Sequence, residues 1–159
     1  MRKIIFRGRR IGGGEWVQGG IAPAWHETNN PMDPEVEEGY SIVADGRAYA
    51  VTQESIGQYT GKNDKNGTPI FEGDLVEAVD HLGNLMRGRV LFGTHAPTMQ
   101  ADHYTVGWWI QWMCNEFYRK ELGFWREKIT VVGPWADNDR MWDQWCEEVA
   151  AYERAEKSM

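Results

Sequence analysis

Cysteine and long apolar runs are scarce in this sequence. Its 159 residues include only two cysteines, Cys114 and Cys146. Neither has a zinc-ligand spacing around it, and two thiols are not a disulfide framework, so we expect neither a metal site nor a disulfide. No apolar run approaches the roughly 20 residues of a membrane-spanning helix, and the basic N-terminus leads into Gly-rich polar sequence, unlike a signal peptide. These absences predict a cytoplasmic protein with reduced thiols and no membrane association.

Motifs for catalysis and cofactor binding are missing as well. The chain has no G-x-S-x-G, Walker or dinucleotide-binding fingerprint. None of its four histidines has the spacing of a helical zinc-protease motif. A calcium loop centred on Gly67 would place Lys62 at its first position and Gly73 at its twelfth, and neither side chain can bind the cation. We therefore expect no catalytic residue, no cofactor, no metal and a non-enzymatic function.

Positive charge is in deficit overall but is concentrated at one end. The formal net charge is −7, which makes nucleic acid an improbable partner because phosphate binding needs Lys and Arg. Residues 1–10 nevertheless carry five basic side chains and no acid, whereas residues 134–159 carry seven acids. The two ends are opposite in sign and can attract each other within the fold or between subunits of a homo-oligomer. The alternative is that each is a solvated face.

Short alternating segments and turn residues predict a mainly β protein. Segments 2–8 and 15–22 form an N-terminal hairpin, and Asp45–Gly46 turns a second hairpin within 40–51. Three prolines mark residues 23–39 as a mobile loop. Further strands are predicted at the segments 73–81, 85–93, 103–113 and 124–135.

A single helix is predicted at residues 139–157. Its apolar residues recur every three or four positions, including Trp142, Trp145 and Val149, and Asp137 or Asp139 is placed to cap its N-terminus. This stripe needs a surface to dock on. We therefore divide the chain into an N-terminal hairpin region (1–57), a barrel (58–136) and a helix packed on the barrel (137–159).

The segment 58–79 is the richest in turn residues, and we interpret it as a hairpin that begins the barrel. Asp64 and Asn66 can bond to nearby backbone N–H groups, and Gly67 can take a positive φ. Gly73 turns the chain while Asp74 accepts backbone N–H bonds. A catalytic carboxylate at Asp74 is the less favoured alternative, because no companion base or nucleophile is evident.

Nine tryptophans are an unusually high number for a chain of this length, and they are the remaining functional candidates. Trp108 and Trp109 are adjacent in a strand, so they point to opposite faces of the sheet. One face is expected to be core and the other to be covered by the C-terminal helix or by a partner. We select Trp108, Trp109 and Trp112 as possible binding residues.

The segment from Tyr59 to Val76 resembles the signature of the YopX family, whose members are encoded by phages and integrated prophages. It fits the pattern Y-T-G-x-x-D-x-x-G-x-x-I-[FY]-E-G-D-x-V, and the opening "MRKIIFRG" and the closing "VVGPWADN" are also similar to family members, although Pro134 stands where Asn is frequent. Residues 23–55 and 94–127 match poorly. The signature positions given a structural role are Tyr59, Gly61, Asp64, Asn66, Gly67, Glu72, Gly73 and Asp74.

The resemblance implies a phage or prophage origin, the cytoplasm of a host cell, and a small five-stranded barrel of the Src-homology type. It implies no catalytic residues. Our expected function is a non-enzymatic module that binds a protein partner. The alternatives are a binder of single-stranded nucleic acid, using the basic N-terminal strand and barrel aromatics, and an enzyme that uses Asp74 and a histidine.

Overall fold

The computed structural model describes residues 1–27, 36–98, 100–113 and 119–159. Two compact units divide the chain, Met1–Gly61 and Lys62–Met159. The second unit includes the C-terminal helix, so the division lies four residues after the expected boundary at residue 57 and leaves no separate helical part.

The first unit is an antiparallel sheet. Its strands are β1 (Phe6–Arg9), β2 (Trp16–Glu27), β3 (Val36–Ala44), β4 (Arg47–Val51) and β5 (Gly57–Asn63), of which β5 runs on past the boundary. They follow the order β4-β3-β2-β1-β5. The Asp45–Gly46 turn has positive φ at both residues, 49° and 72°, as a two-residue hairpin of type I′ requires. Both hairpins predicted in this unit are therefore present.

The strands of the second hairpin extend into the segment expected to be a mobile loop. Glu27 pairs with Val36 and Pro23 pairs with Tyr40, so the predicted loop 23–39 is wrong at both ends, and its middle lies outside the described residues. Proline is tolerated in β2 because β1 pairs with it only from Trp16 to Gly19. Beyond Gly19, β2 therefore has a free side on which no backbone N–H is needed.

The second unit contains a four-stranded antiparallel sheet and two helices. Its elements are β6 (Pro69–Phe71), β7 (Asp74–Val79), β8 (Leu85–His95), β9 (Thr105–Trp112), α1 (Leu122–Trp125), β10 (Thr130–Pro134) and α2 (Asp139–Lys157). The sheet has the order β10-β7-β8-β9, with β10 and β9 at its edges. The protein is thus mainly β, as predicted. Its strands pair into two open antiparallel sheets and not into the expected closed five-stranded barrel.

The core of this unit lies on one face of the sheet, and α1 belongs to it. Ten buried side chains form one cluster: Ile70, Val76, Ala78, Met86, Val90, Ile110, Trp112, Leu122, Trp125 and Ile129. The strand predicted at 124–135 begins only at Thr130. Trp125 and Ile129 are four residues apart, and the Ile129 N–H donates to the Trp125 carbonyl at 3.1 Å, so a helical turn points both side chains into the core.

The helix α2 has the predicted bounds and packs on the opposite face of the same sheet. Trp145 is only 5% exposed, and the Arg87 guanidinium of β8 lies 4.8 Å from the centre of its ring. Arg87 also forms a salt bridge with Glu148 at 2.9 Å. Asn138 precedes the helix and makes no capping side-chain bond, because its amide donates to the Pro134 carbonyl. Of the two expected caps, Asp139 lies in the first turn, where its Oδ1 accepts from the Arg140 N–H at 2.7 Å.

Candidate functional site

The signature segment folds as a hairpin whose turn is built around one buried carboxylate. Asp64 is 6% exposed. Its Oδ1 accepts hydrogen bonds from the backbone N–H groups of Asn66 and Thr68 at 2.8 and 2.9 Å. Its Oδ2 accepts from the Val131 N–H of β10 at 2.9 Å. One side chain therefore closes the turn after β5 and holds that turn to β10.

These bonds also set the protonation of Asp64. Burial by itself raises the pKa of this carboxyl. The N–H groups of Val131, Thr68 and Asn66, together with the nearby charge of Lys65, lower it more, so the pKa of Asp64 lies below its ordinary value of 3.8. The carboxylate is consequently ionised and saturated with donors at neutral pH, which fits a structural role better than proton transfer.

Three glycines and a second aspartate of the signature also have structural roles in the backbone. Gly61, Gly67 and Gly73 have φ of 79°, 83° and 83°, in the left-handed region that favours glycine. The positive φ predicted at Gly67 is therefore confirmed. Asp74 has no exposed surface, and its Oδ2 accepts from the Phe71 N–H at 2.8 Å. A fully buried carboxylate cannot meet a substrate arriving from solvent, which counts against the enzymatic alternative.

The three tryptophans chosen from the sequence lie in different surroundings. Trp112 belongs to the core, where it contacts Trp125 edge to face and donates its Nε1–H to the Arg119 carbonyl at 3.1 Å. Trp109, half-buried on the other face, stacks on His95 with ring centres 5.6 Å apart. Trp108 is half-buried at the margin of the core. Trp112 is therefore excluded as a direct contact for a partner, and Trp108 is the best placed of the three.

Trp108 lies in an exposed apolar surface that we call the aromatic patch: Phe92, Val106, Trp108 and Phe124. Phe92 faces Trp108 across β8 and β9 with ring centres 4.8 Å apart. Phe92 is 52% exposed and Val106 is 70% exposed. Large apolar side chains that remain exposed next to one another are typical of binding surfaces.

A shallow groove of about 470 Å³ runs along this patch. Val106 and Trp108 of β9 line it together with Phe124 of α1. Gly107 and Gly123 lie along it too, and a Cβ added to either would meet no atom within 4 Å. The groove is therefore open above two positions that have no side chain, which leaves room for the backbone of a partner.

Positive charge surrounds the Phe124 end of the patch. The Lys128 ammonium lies 3.8 Å from the centre of the Phe124 ring, and the Arg119 guanidinium lies 5.0 Å from it. Arg119 also forms a salt bridge with Glu121 at 2.9 Å. Arg119 is thus paired within the chain, whereas the Lys128 ammonium, which forms no salt bridge among the described residues, remains available to an acidic group of a partner.

The basic N-terminal strand does not present all its charges to solvent. Arg7 is 8% exposed, with its guanidinium 5.1 Å from the Trp16 ring centre. Arg10 lies over Tyr49 at 5.0 Å and forms a salt bridge with Glu15 at 2.6 Å. At least two of the five basic side chains are thus already engaged, which weakens the nucleic-acid alternative.

The described residues contain no cluster of three or more metal-ligating side chains. In the same part of the chain, no helix combines the length and apolarity that a membrane crossing demands. Cys146 is exposed, whereas Cys114 lies outside the described residues.

Phe92, Val106 and Phe124 were missed from the sequence. Phe92 ends the apolar run "VLF" of a segment that is predicted only as a strand, so no binding role is predicted for it. Its exposure follows from β8 and β9 extending beyond the core, which no local pattern reveals. The one available signal was the cross-strand register, because a hairpin that pairs Phe92 with Trp108 places two large rings on one face.

Comparison with known proteins identifies the family of this chain but indicates no activity. The chain covers 99% of the chain in the crystal structure of protein EF1440 from Enterococcus faecalis, with 89% of its own length matched, 17% identity and a TM-score of 0.45. No curated protein matches. The model of the family described as YopX protein matches residues 19–141, well over half of the chain, including the segments 23–55 and 94–127 that match poorly by eye. The chain therefore belongs to the YopX family, as its signature indicates.

Proposed function

We propose that the protein is a non-enzymatic module that binds a partner protein through the aromatic patch, in a phage or prophage setting. The observation that carries the proposal is the exposed Phe92–Trp108 pair beside an open groove with glycines along it. Aromatic side chains dominate the binding energy of protein interfaces because they bury a large area with little loss of conformational freedom.

The groove indicates which kind of segment it accepts. Its apolar wall of Val106, Trp108 and Phe124 takes one or two large apolar side chains, and the Lys128 ammonium over the Phe124 ring takes an acidic residue beside them. Gly107 and Gly123 leave space for an extended backbone. The partner segment is thus apolar with an adjacent Asp or Glu.

The groove can be blocked without damaging the fold. Gly123 of α1 lines the groove beside Phe124, has an ordinary φ and has open space at its Cβ position, and Val is a better helix former than Gly, so Gly123→Val should fold normally and obstruct the groove. Gly20 of β2 likewise has open space and an ordinary φ. Gly20→Val is therefore the matched control on the other unit.

The test is affinity capture from the cell that produces the protein, with quantitative comparison of the unmodified chain, Gly123→Val and Gly20→Val. A protein retained by the unmodified chain and by Gly20→Val, but lost with Gly123→Val, supports the proposal once the purified pair reproduces the difference. Identical sets for all three chains contradict it. Nuclease treatment is the second arm: loss of binding on nuclease treatment would favour the nucleic-acid alternative.

A further inference from the structure

A second groove lies on the opposite face of the same sheet, under the C-terminal half of α2. We call it the α2 groove. Its volume is about 350 Å³, and its apolar lining consists of Leu85, Met113, Trp145, Val149 and Tyr152. Leu85 is 52% exposed and Tyr152 is 66% exposed. The apolar stripe of the helix therefore continues past the point where the sheet can cover it, and part of it remains available.

The rim of the α2 groove is acidic. Glu148, Glu153 and Glu156 line it on the helix side. Glu148 is neutralised by Arg87 at 2.9 Å. Glu153 and Glu156 are exposed, and within the described part of the chain neither forms a salt bridge with a cation. An apolar floor with unbalanced carboxylates selects a segment that is apolar and basic.

The chain itself contains such a segment. Met1 and Ile4 are fully and 66% exposed, respectively, and Arg2 and Lys3 lie between them. Neither Arg2 nor Lys3 forms a salt bridge among the residues that the structure describes. The residue that follows them is anchored, because the Ile5 carbonyl accepts a hydrogen bond from the Tyr59 N–H at 2.7 Å. Residues 1–4 thus form a short arm with two apolar and two basic side chains, fixed at its base.

We infer that the α2 groove binds the N-terminal arm, residues 1–4, of a second copy of this chain. Met1 and Ile4 contact the apolar floor, and Arg2 and Lys3 pair with Glu153 and Glu156. The occupant is chosen by charge complementarity between the two oppositely charged ends of the chain. An arm of four residues buries much less area than a standard interface, so the association is weak and salt-sensitive.

The experiment uses the full chain and a synthetic peptide of residues 1–10, followed by NMR of the labelled protein. We expect the peptide to shift the amide signals of Val149 and Tyr152, with an effect that fades at high salt. Glu153→Lys with Glu156→Lys should weaken binding about tenfold or more. Asp143→Lys with Glu147→Lys makes the same charge change at exposed positions outside the groove, and should change the affinity less than about twofold.

Sedimentation of the full chain supplies the second readout. Concentration-dependent self-association that is lost on deleting residues 1–4 and in the Glu153→Lys, Glu156→Lys variant supports the inference. A chain that stays monomeric up to about 1 mM overturns it, even if the peptide binds. Peptide shifts that are equal in both double variants, or that map to the aromatic patch, also overturn it. A monomeric chain, or equal shifts in both double variants, does not bear on the proposed function, because the two grooves lie on opposite faces of the sheet.

Discussion

Asp64 is the single residue on which the signature hairpin depends most. Three backbone N–H groups converge on its carboxylate, two from its own turn and one from Val131 of β10. In Asp64→Asn the amide keeps one acceptor oxygen and gains an NH₂ group, so at least one of these buried donors loses its partner. We expect a loss of about 1–3 kcal/mol in the free energy of unfolding, measured by urea denaturation at pH 7. Asp80→Asn, in an exposed turn, is the control and should lose less.

The same residue predicts a pH dependence. The pKa of Asp64 is lower in the folded chain than its ordinary value of 3.8, so its stabilisation is fully present above that value and is lost as the pH falls through the folded pKa. The stability difference between the unmodified chain and Asp64→Asn should therefore be constant from pH 7 to about pH 5 and shrink below about pH 4. A difference independent of pH down to 2 would contradict a lowered pKa.

A substitution at Gly67 measures the free-energy cost of a positive φ separately from any steric clash. Its φ is +83°, and a Cβ there would meet no atom within 4 Å, so Gly67→Ala introduces conformational strain without a steric clash. We expect thermal unfolding to show a loss of about 1 kcal/mol or more. Gly20→Ala, with open space and an ordinary φ, should be neutral or slightly stabilising; equal effects at the two positions would show that the positive φ does not matter.

Among the elements, α2 is held to the sheet chiefly by one side chain. Trp145 is buried and is covered by the Arg87 guanidinium. Trp145→Ala should destabilise the second unit by about 3–5 kcal/mol, whereas Glu147→Ala on the exposed face should change stability by less than about 0.5 kcal/mol. Chemical denaturation followed by circular dichroism measures both variants. Deletion of residues 138–159 removes the whole helix. It should expose the face of the sheet that α2 covers and cause aggregation.

The elements also show where local sequence was sufficient. The helix α2 has its predicted bounds because its apolar stripe has a helical period over 19 residues. The strand predicted at 124–135 is wrong for residues 124–129. Trp125 and Ile129 are four residues apart, which is a helical spacing, but a single pair is too short a pattern to distinguish a helical turn from a strand. The prolines of 23–39 indicated a loop, yet Pro23 lies where β2 has a free side, and that depends on where β1 stops pairing.

At the scale of the whole molecule, the two units have unequal cores. All ten members of the buried cluster belong to Lys62–Met159. Among the described residues of Met1–Gly61, the buried hydrophobics are Ile42 and Val51. A fragment of residues 57–159 should therefore fold alone with a cooperative thermal transition, and a fragment of residues 1–61 should not. Dispersed NMR signals from the shorter fragment would contradict this account.

The sequence by itself determined the mainly β class, the hairpins at Asp45–Gly46 and Asp64–Gly67, the C-terminal helix and the YopX family. The structural predictions rest on local chemistry: turn residues that accept positive φ, side chains that bond to their own backbone, and an apolar period. The family rests instead on the resemblance of the segment from Tyr59 to Val76 to its signature. Tertiary structure alone decided that the sheets are open, that Trp112 is core while Phe92 is exposed, and that Asp74 is buried. Those outcomes depend on which strands pair and where the core ends, and contacts between residues far apart in sequence fix both.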